Sequence, residues 1–148
     1  MNLKNTPGFK LAYLTRQKRQ LIDIYLSELS LSRTQWQVLI CLQIISPPIY
    51  QQDILKNLDI DAAHLARVLE QLETENYITR KQAENNRRCL IIHATKKGEK
   101  TINYIKEAVA KETQLLFSGF TTDEQTQFIK LLDKMTMNVL TAITPMEI

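Results

Sequence analysis

The chain has 148 residues, a formal net charge of +3, 44% hydrophobic and 24% charged residues, the size and balance of one globular domain rather than of a disordered or fibrous chain. No apolar run approaches the roughly 18 residues of a membrane span, and charges interrupt the N-terminal MNLKNTPGFKLAYLTRQKRQ where a signal peptide keeps its apolar stretch, so a cytoplasmic protein is expected. Cys41 and Cys89, with no secretory feature around them, read as reduced thiols, and together with the scattered His64 and His93 they give no ligand spacing, so no metal or other cofactor is expected.

From Leu11 to Leu29 the apolar residues Leu14, Leu21, Ile22, Tyr25 and Leu29 recur with helical spacing and predict a long first helix. Ser32, with Gln35 three residues on, forms a capping box for a second helix through Trp36, Leu39, Ile40 and Ile44, which Pro47-Pro48 stops. Cys41 falls on this apolar helix and reads as core. The stretch QQDILKNLDI from Gln51 predicts a short helix with Ile54, Leu55 and Leu58 inward. Asp61 caps the next helix, which carries Leu65, Val68, Leu69 and Leu72 on one stripe and ends at Asn76, a residue that tolerates the left-handed C-terminal position. Two helices about four residues apart, the second capped and amphipathic, make a helix-turn-helix pattern.

The period then changes from helical to short and β-branched. YITRKQ and CLIIHAT, joined by AENNRR, predict a β-hairpin over residues 77–95, with Arg87 and Arg88 in its turn. Helices return from Lys96 to about Ser118 and, after a second capping box at Thr122 and Gln125, through Phe128, Leu131, Leu132, Met135 and Val139. The fold class expected is mainly α: a winged helix-turn-helix over 31–95, with its helix-turn-helix at 51–76, in a single domain of 1–148 flanked by long helices at 1–30 and 96–148. Those flanking helices carry Leu14, Leu21, Ile102, Ile105, Leu116, Phe117, Phe120 and Phe128, more apolar surface than so small a domain covers by itself, so a homodimer is expected.

Charge is concentrated as well. Arg80, Lys81, Arg87, Arg88, Lys96, Lys97 and Lys100 stand against only Glu84 and Glu99 between residues 80 and 100, and Lys4, Lys10, Arg16, Lys18 and Arg19 have no acid near them in the first twenty. Such clusters suit a polyanion, although for a charge cluster alone a solvated face is the simpler reading.

The residues that discriminate between these readings are Asp61, Leu65, Arg67, Leu69, Leu72 and Glu73, then Ile78 and Arg80, the hairpin's Asn86-Arg87-Arg88, and Thr95 with Gly98. In order and spacing this run resembles the MarR family of bacterial transcriptional regulators, and LSRTQW at 31–36 looks like its SlyA branch; the resemblance covers nearly the whole chain. It implies a two-fold dimer that places a recognition helix in each of two successive major grooves of double-stranded DNA, with the hairpins as wings in the flanking minor grooves. Arginines at a wing tip then have a purpose, since a narrow minor groove concentrates negative potential.

On this reading His64 and Arg67 contact the major groove, with Gln71 further along, while Ala62 and Ala63 permit close approach or meet a thymine methyl. Asn86, Arg87 and Arg88 act at the wing, and Thr34, Gln51 and Gln52 near helix starts touch backbone. The family usually has aspartate where Asn86 stands, a carboxylate that helps hold the wing arginine. Many relatives bind small aromatic carboxylates between the winged unit and the helical arms; Tyr13, Arg16, Tyr25, Arg33 and Trp36 could line such a pocket, or be ordinary core and surface. His64 could equally be an idle surface residue, and His93 reads as structural or solvent-facing. Cys89 has only its neighbouring arginines to lower its thiol pKa, which does not make it a redox sensor. No triad, paired catalytic carboxylates or glycine-rich phosphate loop is present, so an enzyme is not expected. The rival is a winged-helix protein-interaction module, motivated by Asn86 and by a recognition helix in which Asp61, Glu70, Glu73 and Glu75 outnumber Arg67.

Overall fold

The computed structural model describes residues 2–146. The elements run α1 (Pro7–Tyr25), α2 (Arg33–Ile44), α3 (Gln51–Leu55), α4 (Ala62–Thr74), β1 (Ile78–Ala83), β2 (Asn86–Ala94), α5 (Lys96–Leu116) and α6 (Thr122–Ile143). They divide into two compact units, Met1–Glu112 and Thr113–Ile148.

In the first unit α1 starts earlier than its apolar spacing predicts. Thr6 caps it, its hydroxyl accepting the Phe9 N–H, and Pro7 occupies the first turn, where a missing N–H costs nothing. The helix ends at Tyr25 rather than Leu29, the following residues forming a tight turn in which the Leu29 N–H donates to the Leu26 carbonyl. The Ser32–Gln35 capping box forms as its sequence predicts, with the Ser32 N–H bonded to Gln35 Oε1 at 2.8 Å. The helix α3 is shorter than its segment predicts, stopping at Leu55, and six residues rather than four separate it from α4.

The helix α4 carries the centre of the core. Asp61 caps it by accepting the His64 N–H at 2.7 Å, and Leu65, Val68, Leu69 and Leu72 are all buried on one stripe; each such side chain contributes about 1.5–3 kcal/mol. Around them pack Val38, Leu39, Cys41, Ile54, Ile78 and Ile92. Ile102 and Ile105 also lie in this core, 1% and 0% exposed, which corrects their assignment to an unpartnered stripe: α5 turns that face onto the winged unit.

The hairpin pairs β1 with β2 antiparallel, Ile78 opposite Ala94 through Gln82 opposite Leu90, with an irregularity at Gln82/Ala83. Its turn lies at Glu84-Asn85, one step before the predicted tip, so Arg87 and Arg88 belong to β2. The outer side of β2 is tied to the segment before α3, where the Ile92 N–H donates to the Ile49 carbonyl at 2.9 Å.

Two features fix the hairpin to its flanking helices. Asn76 adopts a positive φ of 62° as its sequence predicts, reversing the chain out of α4. At the start of α5, Thr95 donates to the Asn76 carbonyl at 2.6 Å and accepts the Gly98 N–H at 3.0 Å. A Cβ on Gly98 would lie 2.1 Å from the Tyr77 carbonyl oxygen, so only glycine fits there. α1 and α5 are joined antiparallel by Lys18 with the buried Glu112 at 2.9 Å and by Tyr104 with Glu28 at 3.3 Å.

In the second unit α6 is capped by Thr121, which accepts the Glu124 N–H at 3.1 Å. The cap thus lies one residue before Thr122, and the predicted box at Thr122 and Gln125 is not the cap of this helix. Phe117, Phe120 and Phe128 meet edge to face, with centroids 5.3 to 6.3 Å apart. No described residue of α6 is buried: Ile129, Leu131, Met135, Val139, Leu140 and Ile143 are all exposed. No helix among the described residues is long and apolar enough to cross a membrane.

Candidate nucleic-acid interface

Three helix starts and one strand supply the candidate residues. Thr34 is half-buried in the first turn of α2, Gln51 and Gln52 open α3, Ala62 and Ala63 open α4, and all the helix-start residues except Thr34 and Gln51 are exposed. The orphan N–H groups at such starts favour phosphate. At α3 the Asp53 carboxylate already takes the Tyr50 N–H at 2.9 Å.

The structure brings Gln51, Gln52, Ala62 and Arg88 together. With Tyr50, Leu55, Cys89 and Leu90 they line one cleft of about 340 Å³ between α3, the start of α4 and the base of the wing. Tyr50, Leu55 and Leu90 carry no chemical motif of their own, and only the hairpin's folding back against α3 reveals them.

Along α4 the predicted contacts separate. His64 is half-buried and Arg67 is exposed. Arg67 shares a groove with Glu70, Gln71, Thr74 and Glu75, so two acids lie beside it. Gln71 is not a free reader: its Oε1 accepts from Nε2 of the buried Gln35 at 3.4 Å.

In the wing, Asn86 Oδ1 accepts the Arg88 main-chain N–H at 3.0 Å, and its Nδ2 donates to Cys89 Sγ at 3.3 Å. The amide therefore orders the backbone beside Arg88 without pairing with its guanidinium. Adjacent strand residues face opposite sides of a sheet; Arg88 lines the cleft, and Arg87 points to the other face. Among the described residues neither has an ion-pair partner.

Arg80, counted with the free bases, has one. Its Nη2 donates to Glu73 Oε1 at 2.9 Å, and its Nε and main-chain N–H donate to Glu73 Oε2 at 3.2 and 3.1 Å. The hydrogen bond from Arg80 holds the Glu73 carboxyl below the usual carboxylate range, and the same bond raises the guanidinium. Lys97 is also engaged, donating to the Glu75 carbonyl at 2.7 Å and lying 4.1 Å from the Tyr77 ring centroid. Nothing in residue spacing marks either partnership, because both cross the left-handed turn at Asn76.

Within one chain the five candidate effector residues do not share a cavity. Arg16 lies 5.3 Å from the Tyr13 ring on the exposed side of α1, Tyr25 lines a small depression with Tyr104 and Lys111, Arg33 pairs with Asp23 and Trp36 packs on the core. Burial raises the Cys41 thiol pKa, as suits a core cysteine.

The stretch carrying α2, α3, α4 and the wing up to Leu90 matches the sequence pattern of the MarR family, over residues 31–90. Over this stretch, the winged helix-turn-helix, the chain is similar to the MarR family domain. A solved structure of MarR shares 29% identity, covers 96% of each chain and superposes with a TM-score of 0.75. Transcriptional regulator PA3341 shares 27% identity over 90% of this chain and 98% of its own, with a TM-score of 0.82. A mutant MepR from S. aureus, bound to an oligodeoxyribonucleotide, shares 23% identity over 90% of this chain and 98% of its own, TM-score 0.61, and shows the common fold. The MarR match and these neighbours give the chain the winged-helix fold of MarR-type transcriptional regulators.

Proposed function

We propose that the chain acts in the cytoplasm as a homodimeric regulator of the SlyA-like branch, binding a pseudo-palindromic operator with half-sites roughly 10 base pairs apart. The observation that carries this reading is the convergence of the exposed Arg88 with Gln51, Gln52 and Ala62 on one cleft, which lets the wing and the start of α4 engage one stretch of duplex. His64 and Arg67 meet base edges or phosphate, and Thr34, Gln51 and Gln52 meet backbone. Asn86 orders the strand from which Arg88 enters the minor groove, with Arg87 directed at phosphate on the opposite face.

The domain division that goes with this reading keeps 31–95 as the DNA-binding part and 1–30 with 96–148 as the dimerising helices. The exposed apolar residues of α6 support a second copy as partner. The effector class is a small aromatic carboxylate whose binding releases DNA, the behaviour of a repressor. Its pocket would be completed only in the dimer, since within one chain only Tyr13 and Arg16 of the five lie together. Salicylate raising the melting temperature supports that effector; no shift at millimolar concentration removes it.

The protein-interaction reading draws on the acidic groove beside Arg67. Fluorescence anisotropy with duplex DNA across a salt series separates the two, because phosphate contacts release counterions and give a steep salt slope.

A further inference from the structure

The recognition helix and the wing are joined through the left-handed Asn76, and the base of the hairpin is anchored by the buried Ile78 and Ile92. Farther out along β1, a side-chain tie runs directly back to the helix. Glu73 sits in the last turn of α4 and Arg80 is the third residue of β1. Each Glu73 oxygen accepts from the Arg80 guanidinium, at 2.9 and 3.2 Å, and Oε2 also takes the Arg80 main-chain N–H at 3.1 Å. That N–H lies on the edge of β1 that β2 does not pair. The side chain and the backbone of the strand are thus held by one carboxylate of the helix.

We propose that Glu73 and Arg80 are positioning residues that lock the wing to the recognition helix at a fixed angle, so that Arg88 and the start of α4 reach DNA together. The proposal rests on the DNA-binding reading above. At about 3.3 Å per residue the wing turn lies roughly 17 Å beyond Arg80, so a tilt of about 10° moves it by about 3 Å, enough to lose a phosphate or minor-groove contact. The pair is partly exposed, with side chains 22% and 38% accessible, and such pairs contribute little to global stability. Its effect is geometric, and it takes Arg80 out of the set of bases available to phosphate.

Charge and geometry here predict opposite signs. Glu73→Gln removes an acid from a protein that binds a polyanion, which by electrostatics alone tightens binding; the lock predicts binding weaker by about tenfold. The probe is a labelled duplex selected by the wild-type protein from a random-sequence pool. In an Arg88→Ala background, Glu73→Gln should cost little more, since the contact it positions is already gone. Arg80→Lys keeps the charge but loses the fork, and should bind as weakly as Arg80→Gln, whereas a phosphate contact would survive in lysine. Wild-type-like or tighter binding by Glu73→Gln, an equal cost in the Arg88→Ala background, or rescue by lysine overturns the lock. A wild type that selects no duplex overturns the DNA reading instead. The lock is then read by amide hydrogen exchange of residues 84–90, which Glu73→Gln should accelerate while Ile102 and Ile105 stay protected; unchanged exchange overturns it.

Discussion

At residue scale the two wing arginines are not equivalent. Arg88 lines the cleft with Gln51, Gln52 and Ala62, and strand alternation puts Arg87 on the opposite face. Arg88→Ala should therefore cost on the order of 1–3 kcal/mol of DNA binding and leave the dimer intact, measured by anisotropy and sedimentation; unchanged affinity removes Arg88 from the interface. A second residue tests the frame that carries the wing. Gly98 has no room for a Cβ beside the Tyr77 carbonyl, and because the obstacle is backbone, Gly98→Ala should destabilise folding by about 3 kcal/mol in urea titration. A loss under a few tenths would show that α5 shifts freely against the hairpin.

At the scale of elements, caps and periodicity carry most of what the sequence reveals. The Ser32–Gln35 box and the Asp61 cap are where the side-chain pattern puts them, because each has one suitable acceptor before an apolar stripe. The slips occur where two neighbours are equally suitable: Thr121 and Thr122 for the cap of α6, and Asn85 and Asn86 for the wing turn. Ile102 and Ile105 have the spacing of an interface stripe and are core, since periodicity identifies a face but not what covers it. The Glu73–Arg80 pair was invisible as a partnership because it closes across a chain reversal. It also gives a pH dependence. Arg80 lowers the Glu73 pKa in the folded protein, so its contribution is complete above the ordinary glutamate pKa and is lost as pH falls through the lowered folded value. Exchange of the wing amides, corrected for intrinsic rates, should rise relative to the core only in acid. Glu73→Gln should abolish that step, and a step surviving in the variant assigns it to another carboxyl.

At the scale of the molecule, α6 presents Ile129, Leu131, Met135, Val139, Leu140 and Ile143 to solvent, an apolar surface that a second copy would cover. Val139 is 57% exposed in one chain, so Val139→Glu should leave folding nearly unchanged while converting the dimer to monomer in sedimentation velocity at micromolar concentration. A dimer that persists places the interface elsewhere. A dimer also doubles the phosphate contacts and so sets the salt response of binding. The most direct measurement of the central claim is fluorescence anisotropy of the purified protein with labelled DNA from its own upstream region and with a scrambled duplex, across a salt series. A regulator binds the upstream duplex far more tightly, with a steep negative slope of affinity against salt; equally weak, salt-insensitive association with both duplexes would contradict it and turn the winged helix toward protein partners.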